Sequence, residues 1–144
     1  MRGIDTNVLA RYITQDGEEA PAVTRWIEAS CTEENPGFIC LVVLCELVWV
    51  LRRAYGYDRA SVAAIVERLL TAAEFEVENS TMAWAALAEY RQGPADFSDY
   101  LIGQVCREYE AAPVFTLDAS AAKGQNFEMV PGAEGSTRAE ALSR

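Results

Sequence analysis

Phe38-Ile39-Cys40-Leu41-Val42-Val43-Leu44-Cys45-Glu46-Leu47-Val48-Trp49-Val50-Leu51 is the longest apolar run in the chain, and its reading decides the fold. Asn35-Pro36-Gly37 ahead of it is a turn, so the run opens as a buried strand over Phe38-Ile39-Cys40-Leu41. The stretch 43–54 is too long for a strand and fits a buried helix that Gly56 ends. At 14 residues with Glu46 inside, the run is too short to cross a bilayer. A strand feeding directly into a helix is the repeating element of an α/β layer fold with a parallel sheet.

The same alternation continues on both sides. Upstream, a short strand over 2–5 leads into a helix through Asn7-Val8-Leu9-Ala10-Arg11-Tyr12-Ile13, with Thr6 or Asn7 near its cap. A second helix follows over 18–30, with Pro21 in its first turn. Downstream, Asp58 caps a helix whose Val62, Ile65, Val66, Leu69 and Leu70 keep the helical period. Phe75-Glu76-Val77 is a brief strand with one solvated face, and Ser80 opens a helix through Tyr90 that Gly93-Pro94 stops. A helix over 96–110, a strand Val114-Phe115-Thr116-Leu117, a small helix from Asp118 and an edge strand Phe127-Glu128-Met129-Val130 complete the pattern. This gives one domain over 1–131 without an internal linker, then a loose tail over 132–144 of small and polar residues. Trp26, Trp49 and Trp84 fall on helices at apolar spacing, as core or oligomer-interface residues do.

The chain of 144 residues is 51% hydrophobic and 24% charged, a soluble composition with length enough for one core. Its N-terminus shows no apolar signal region, so a cytoplasmic protein without membrane association is expected. Cys31, Cys40, Cys45 and Cys106 form no C-x-x-C pair and read as reduced core thiols. With no histidine present, a zinc site is not expected. The net charge of −10 argues against a general nucleic-acid coat, which needs a basic face. It leaves room for a nucleic-acid enzyme, because a carboxylate metal site is acidic and bound cations reverse its field. Arg11, Arg52, Arg53, Arg91, Arg107 and Lys123 are the local positive charges available.

Glu46 is the only charge in its run. Burying a carboxylate alone costs several kcal/mol, so an arginine, a pocket open to water or a metal must compensate it. Arg53 is on roughly the same helical face but almost two turns away. Asp5 falls where the first strand meets its helix, and Asp118 repeats that placement after the 114–117 strand. Ligands of open parallel sheets collect at such carboxyl ends. Asp99 lies near the start of the 96–110 helix with Asp96 one turn before it, better placed to cap. Asp, Thr and Asn are ordinary caps, so each position alone is also explained structurally. Together, three junction carboxylates and one in an apolar helix can converge at one sheet edge. Close carboxylates stay ionised only if cations offset them, and oxygen-only ligands favour magnesium or manganese.

Ile4-Asp5-Thr6-Asn7-Val8-Leu9, Val43-Leu44-Cys45-Glu46-Leu47-Val48-Trp49-Val50-Leu51, Ala95-Asp96-Phe97-Ser98-Asp99-Tyr100-Leu101-Ile102 and Phe115-Thr116-Leu117-Asp118 together resemble PIN domains. More narrowly they resemble the VapC toxins of bacterial toxin–antitoxin pairs, over about 1–130. The resemblance implies a three-layer α/β/α sandwich and Mg2+- or Mn2+-dependent cleavage of RNA. It also implies a homodimer and neutralisation by a small VapB-like antitoxin. Carried over by position, the metal-site acids are Asp5, Glu46, Asp99 and Asp118, with Thr6 or Asn7 and Thr116 as hydrogen-bonding neighbours and Asp96 as an accessory.

Two other readings compete. A phosphatase-like hydrolase with Asp5 as nucleophile needs a second aspartate where Asn7 stands, and gives Glu46 no role. An inactive PIN-like scaffold that only binds a partner is the non-enzyme alternative, and metal binding at the carboxylates separates an intact site from such a scaffold.

Overall fold

Asp5 has extended backbone, and its carboxylate accepts the Thr6 N–H at 2.8 Å, so the first strand, β1 (Arg2–Gly3), passes at once into helix α1 (Thr6–Thr14). The computed structural model describes residues 1–137 and residue 140 of the chain. Thr6, Leu9 and Ala10 form the buried face of α1, three to four residues apart as one helical stripe requires. Gln15, in the left-handed region at φ 58°, ends the helix by donating its N–H to Arg11 O at 2.8 Å. Helix α2 (Ala20–Ser30) starts with proline in its first turn and buries Ala20 and Ile27.

The deciding run resolves into β2 (Gly37–Ile39) and α3 (Leu41–Arg53). The strand stops two residues sooner than the apolar pattern suggests, because Cys40 is already the cap of α3. Glu78 Oε1 accepts the Leu41 N–H at 2.9 Å, which satisfies one of the open donors of that helix start. Val43, Leu44, Leu47, Val48 and Leu51 are the buried side of α3. Helix α4 (Arg59–Thr71) is capped by Asp58 as expected, with the Ser61 N–H on Asp58 Oδ1 at 2.7 Å, and leads to β3 (Phe75–Val77).

These strands form a parallel sheet in the order β1-β2-β3, with Arg2 opposite Gly37 and Gly37 opposite Phe75. Helices supply both crossovers, as parallel neighbours demand. Gly37 is buried in the central strand. A methyl there would collide with the Ile4 side chain and press on Cys31 and Phe75, so only glycine lets these neighbours close in. Leu9, Ile27, Ile39, Leu44, Leu47, Leu51, Val62 and Val66 are the largest fully buried side chains here.

This first compact unit is Met1–Trp84, and a second begins at Ala85, the division falling inside helix α5 (Ser80–Gln92) and not in a linker. In the second unit α6 (Phe97–Glu108) starts at Asp96 with a capping box, and Phe97 is fully buried with its ring edge-on to Tyr90 at 5.8 Å. Strands β4 (Val114–Thr116) and β5 (Phe127–Met129) pair in parallel, joined by the short 3-10 helix Ala121–Lys123. All strand pairing among the described residues is parallel, as the alternation of strands and helices predicts.

Past Pro131 the chain returns to β4's continuation. Ser136 N–H donates to Leu117 O at 3.0 Å, Ala119 N–H donates to Ser136 O at 2.8 Å, and Ser136 lies opposite Asp118. Of the tail expected over 132–144, residues 138, 139 and 141–144 lie outside the described residues. The tryptophans are not core residues. Trp26, Trp49 and Trp84 are all exposed, and Arg53 covers the Trp49 ring at 5.9 Å instead of reaching back to Glu46.

Candidate functional site

The first unit brings Asp5 and Glu46 to one cavity of about 230 Å³. Asp5 arrives there as the residue that caps α1, and Glu46 from the second turn of α3. Thr6, Asn7, Ala10 and Arg11 continue the lining along α1, with Val50 and Tyr55 along and beyond α3. The largely buried Thr6 hydroxyl donates to Glu46 Oε1 at 2.7 Å, a short charge-assisted bond across the two helices. Thr6, not Asn7, is thus the hydrogen-bonding neighbour of this pair, and Asn7 lines the same cavity.

Glu46 corrects the sequence argument in one respect. It is exposed to the cavity and not buried, although every apolar neighbour in the run suggested otherwise. The helix explains this: Val43, Leu44, Leu47 and Val48 face inward, while Val42, Glu46 and Trp49 occupy the other side. Of the compensations considered for this charge, the opening to water is the one present, together with the Thr6 hydroxyl.

The second unit holds the other acids. Asp99 is almost wholly buried in the first turn of α6, and its Oδ2 accepts the Asp96 N–H at 3.3 Å. Asp96 is the exposed cap of that helix, the role its position suggested. Asp118, also buried, uses Oδ1 to accept the N–H groups of Ser120 at 2.8 Å and Ala121 at 3.3 Å. Thr116 Oγ1 accepts the Asp118 N–H at 3.0 Å and so fixes the backbone ahead of the carboxylate.

Asp5, Glu46 and Asp118 share a pattern. In each, one carboxylate oxygen is anchored, and among the described residues the other makes no hydrogen bond. A carboxylate oriented through one oxygen and open at the other suits a hard divalent cation, and that holds for Asp5 and Glu46 in the first unit and, separately, for Asp118 in the second. Within neither unit do three acidic or cysteine side chains, among the described residues, come close enough to hold an ion by themselves. Sequence reasoning passed over the Thr6 hydroxyl bond as such, the Arg11 and Tyr55 part of the cavity, and Ser136 beside Asp118. The i, i+4 step from Asn7 to Arg11 was the signal available for the second of these.

Parallel strands feeding directly into helices, with aspartates at the junctions, define an α/β protein with acids at its strand ends, and the PIN-domain family model matches residues 4–124. The chain belongs to the PIN-domain family, whose helices and parallel sheet it has. The matched span encloses Asp5, Glu46, Asp99 and Asp118. It is similar to a VapC ribonuclease of Aquifex aeolicus, at 26% identity over 101 residues that cover 70% of this chain and 75% of that protein. Among the described residues no helix is long and apolar enough to cross a membrane.

Proposed function

We propose that this protein is a metal-dependent endoribonuclease and the toxin of a toxin–antitoxin pair. The observation that carries the reading is the Asp5–Thr6–Glu46 arrangement: two carboxylates at one open cavity, each held through one oxygen. The likeness to a VapC ribonuclease supports RNA as the substrate. The proposed ligands of Mg2+ or Mn2+ are Asp5 and Glu46 in the first unit and Asp99 and Asp118 in the second. When bound, the cation supplies a water of lowered pKa and offsets charge developing on the phosphodiester.

The chain's own residues prepare that chemistry. Thr6 aims Glu46, the first N–H of α1 aims Asp5, and the turn after β4 aims Asp118. Asp96 and Asp99 brace each other across the start of α6. No imidazole exists to act as general base, since the chain has no histidine. A homodimer, action in the cytoplasm and neutralisation by a small VapB-like antitoxin belong to the same reading.

The test is purified protein, freed of any antitoxin, incubated with total bacterial RNA and Mg2+ or Mn2+. EDTA and Asp5→Asn samples run beside it, and new 5′ ends are mapped. Discrete cuts lost with EDTA and with the variant are expected. No cleavage together with no Mn2+ binding would replace this reading by the inactive scaffold.

A further inference from the structure

The cavity that holds Asp5 and Glu46 carries a positive edge, which the metal reading leaves unused. Arg11 lines it, one turn beyond Asn7 on the same face of α1, and Tyr55 lines it from beyond the end of α3. Arg11 Nη1 donates to the Tyr55 hydroxyl at 3.1 Å, and that hydroxyl donates to Asp16 Oδ2 at 2.8 Å. Asp16 and Glu19 stand 3.7 and 3.8 Å from the guanidinium.

An arginine held firmly by a carboxylate meets it at about 2.7–2.9 Å, often through two parallel bonds. Here both carboxylates are beyond hydrogen-bonding range and largely exposed, and among the described residues the guanidinium's hydrogen bond goes to a neutral phenol. Loose, solvated pairs of this kind contribute little and exchange readily. Among the described residues the guanidinium therefore keeps most of its five donors for an anion that accepts through two oxygens, as a phosphate does.

We propose that Arg11, oriented by Tyr55, grips a phosphate of the bound strand next to the one being cut. That the strand is RNA rests on the ribonuclease reading. Arg11 lies six positions after Asp5, about 9 Å along the helix axis, so the phosphate held by Arg11 belongs to a neighbouring nucleotide. Its oxygens take the place of Asp16 on the guanidinium. In a chain of net charge −10, such a grip also gives an anionic strand a local cation beside the acids.

The experiment is equilibrium binding of a fluorescein-labelled, mixed-sequence, single-stranded oligoribonucleotide to the full chain. It is read by anisotropy across a KCl series with Ca2+ in place of Mg2+. Arg11→Met should raise Kd about tenfold at the lowest salt and reduce the log–log salt slope by about 0.7, the share of one phosphate on a single strand. Arg11→Lys should restore the slope, because it keeps the charge. Asp16→Asn should tighten binding more than Glu18→Gln, which removes the same charge from a residue that does not touch Arg11. An unchanged slope for Arg11→Met, no rescue by Arg11→Lys, or equal effects of Asp16→Asn and Glu18→Gln would overturn the proposal. So would wild-type protein that binds no RNA at any salt. Wild-type protein that binds with the expected slopes but cuts nothing in Mg2+ or Mn2+ would sink the ribonuclease reading and leave the grip standing.

Discussion

Replacing Thr6 by Val tests the bond on which the Asp5–Glu46 arrangement depends. The substitution keeps the branched shape and removes the hydroxyl that donates to Glu46 Oε1 at 2.7 Å. A hydrogen bond to a charged group contributes about 1.5–3 kcal/mol. Glu46 is exposed, so water takes over part of the lost bond, and the expected cost falls to about 1 kcal/mol. For a chain of this length that lowers Tm by roughly 3–4 °C. Repulsion between Glu46 and Asp5 complicates any single variant, since removing Glu46 also relieves it. A double-mutant cycle of Thr6→Val with Glu46→Ala, measured by urea denaturation in EDTA, isolates the pair. A coupling of about 1 kcal/mol is expected. Additivity within about 0.3 kcal/mol would show that the hydroxyl does not hold the carboxylate in solution. In a parallel Mn2+ titration, Thr6→Val should weaken binding roughly tenfold, the usual effect of losing a group that orients a ligand. Coupling without any change in Mn2+ affinity would refute Glu46 as a ligand and leave the bond purely structural.

Three further outcomes follow from packing and titration. Phe97→Ala should cost about 3–5 kcal/mol in a urea melt, because the ring is fully buried and edge-on to Tyr90; a loss under 1 kcal/mol would contradict that packing. The Ser61 backbone N–H and hydroxyl hold the Asp58 carboxyl below its ordinary value of 3.8. Folding is thus favoured by this group above the ordinary value, and that contribution disappears as pH falls through the lowered one. Asp58→Asn should flatten this segment of the stability–pH curve relative to wild type. Burial first, and Glu74 second, push the Cys31 thiol up against the opposing effect of Arg2. Iodoacetamide at pH 8 should therefore label Cys40, Cys45 and Cys106 before Cys31, and equal rates by peptide mapping would contradict the burial.

The elements were legible where local chemistry fixes them. Asp58 and Asp96 announced helix starts, Gly93-Pro94 a stop, and the period of Val62, Val66 and Leu69 a buried face. Strand ends were less legible, because Cys40 and Leu41 are as apolar as the strand before them and only the Glu78 bond to Leu41 reveals where the helix begins. Glu46 was noticed for a reason that fails: a charge in an apolar run need not be buried when the run is a helix with two sides. Its position was informative and its environment was not. The Thr6–Glu46 bond spans forty residues, and Ser136 reaches back to Leu117 and Ala119, so neither could be read from neighbours in sequence.

The acidity of the chain can be reconciled with an RNA substrate through the same residues. Bare carboxylates repel a polyanion, and at −10 the repulsion extends beyond the cavity. Under the ribonuclease reading, cations at the carboxylates invert that local field, while Arg11 supplies a fixed positive charge independent of metal. The two contributions are separable. A metal-dependent attraction disappears with chelation, whereas a guanidinium grip persists and weakens with salt. Because the grip is made alike before and during cleavage, losing it should raise KM far more than it lowers kcat. Losing Glu46 should do the opposite. A chain that showed both losses in kcat alone would have its arginine at the reacting phosphate, and the division of the cavity into a cutting end and a holding end would be wrong.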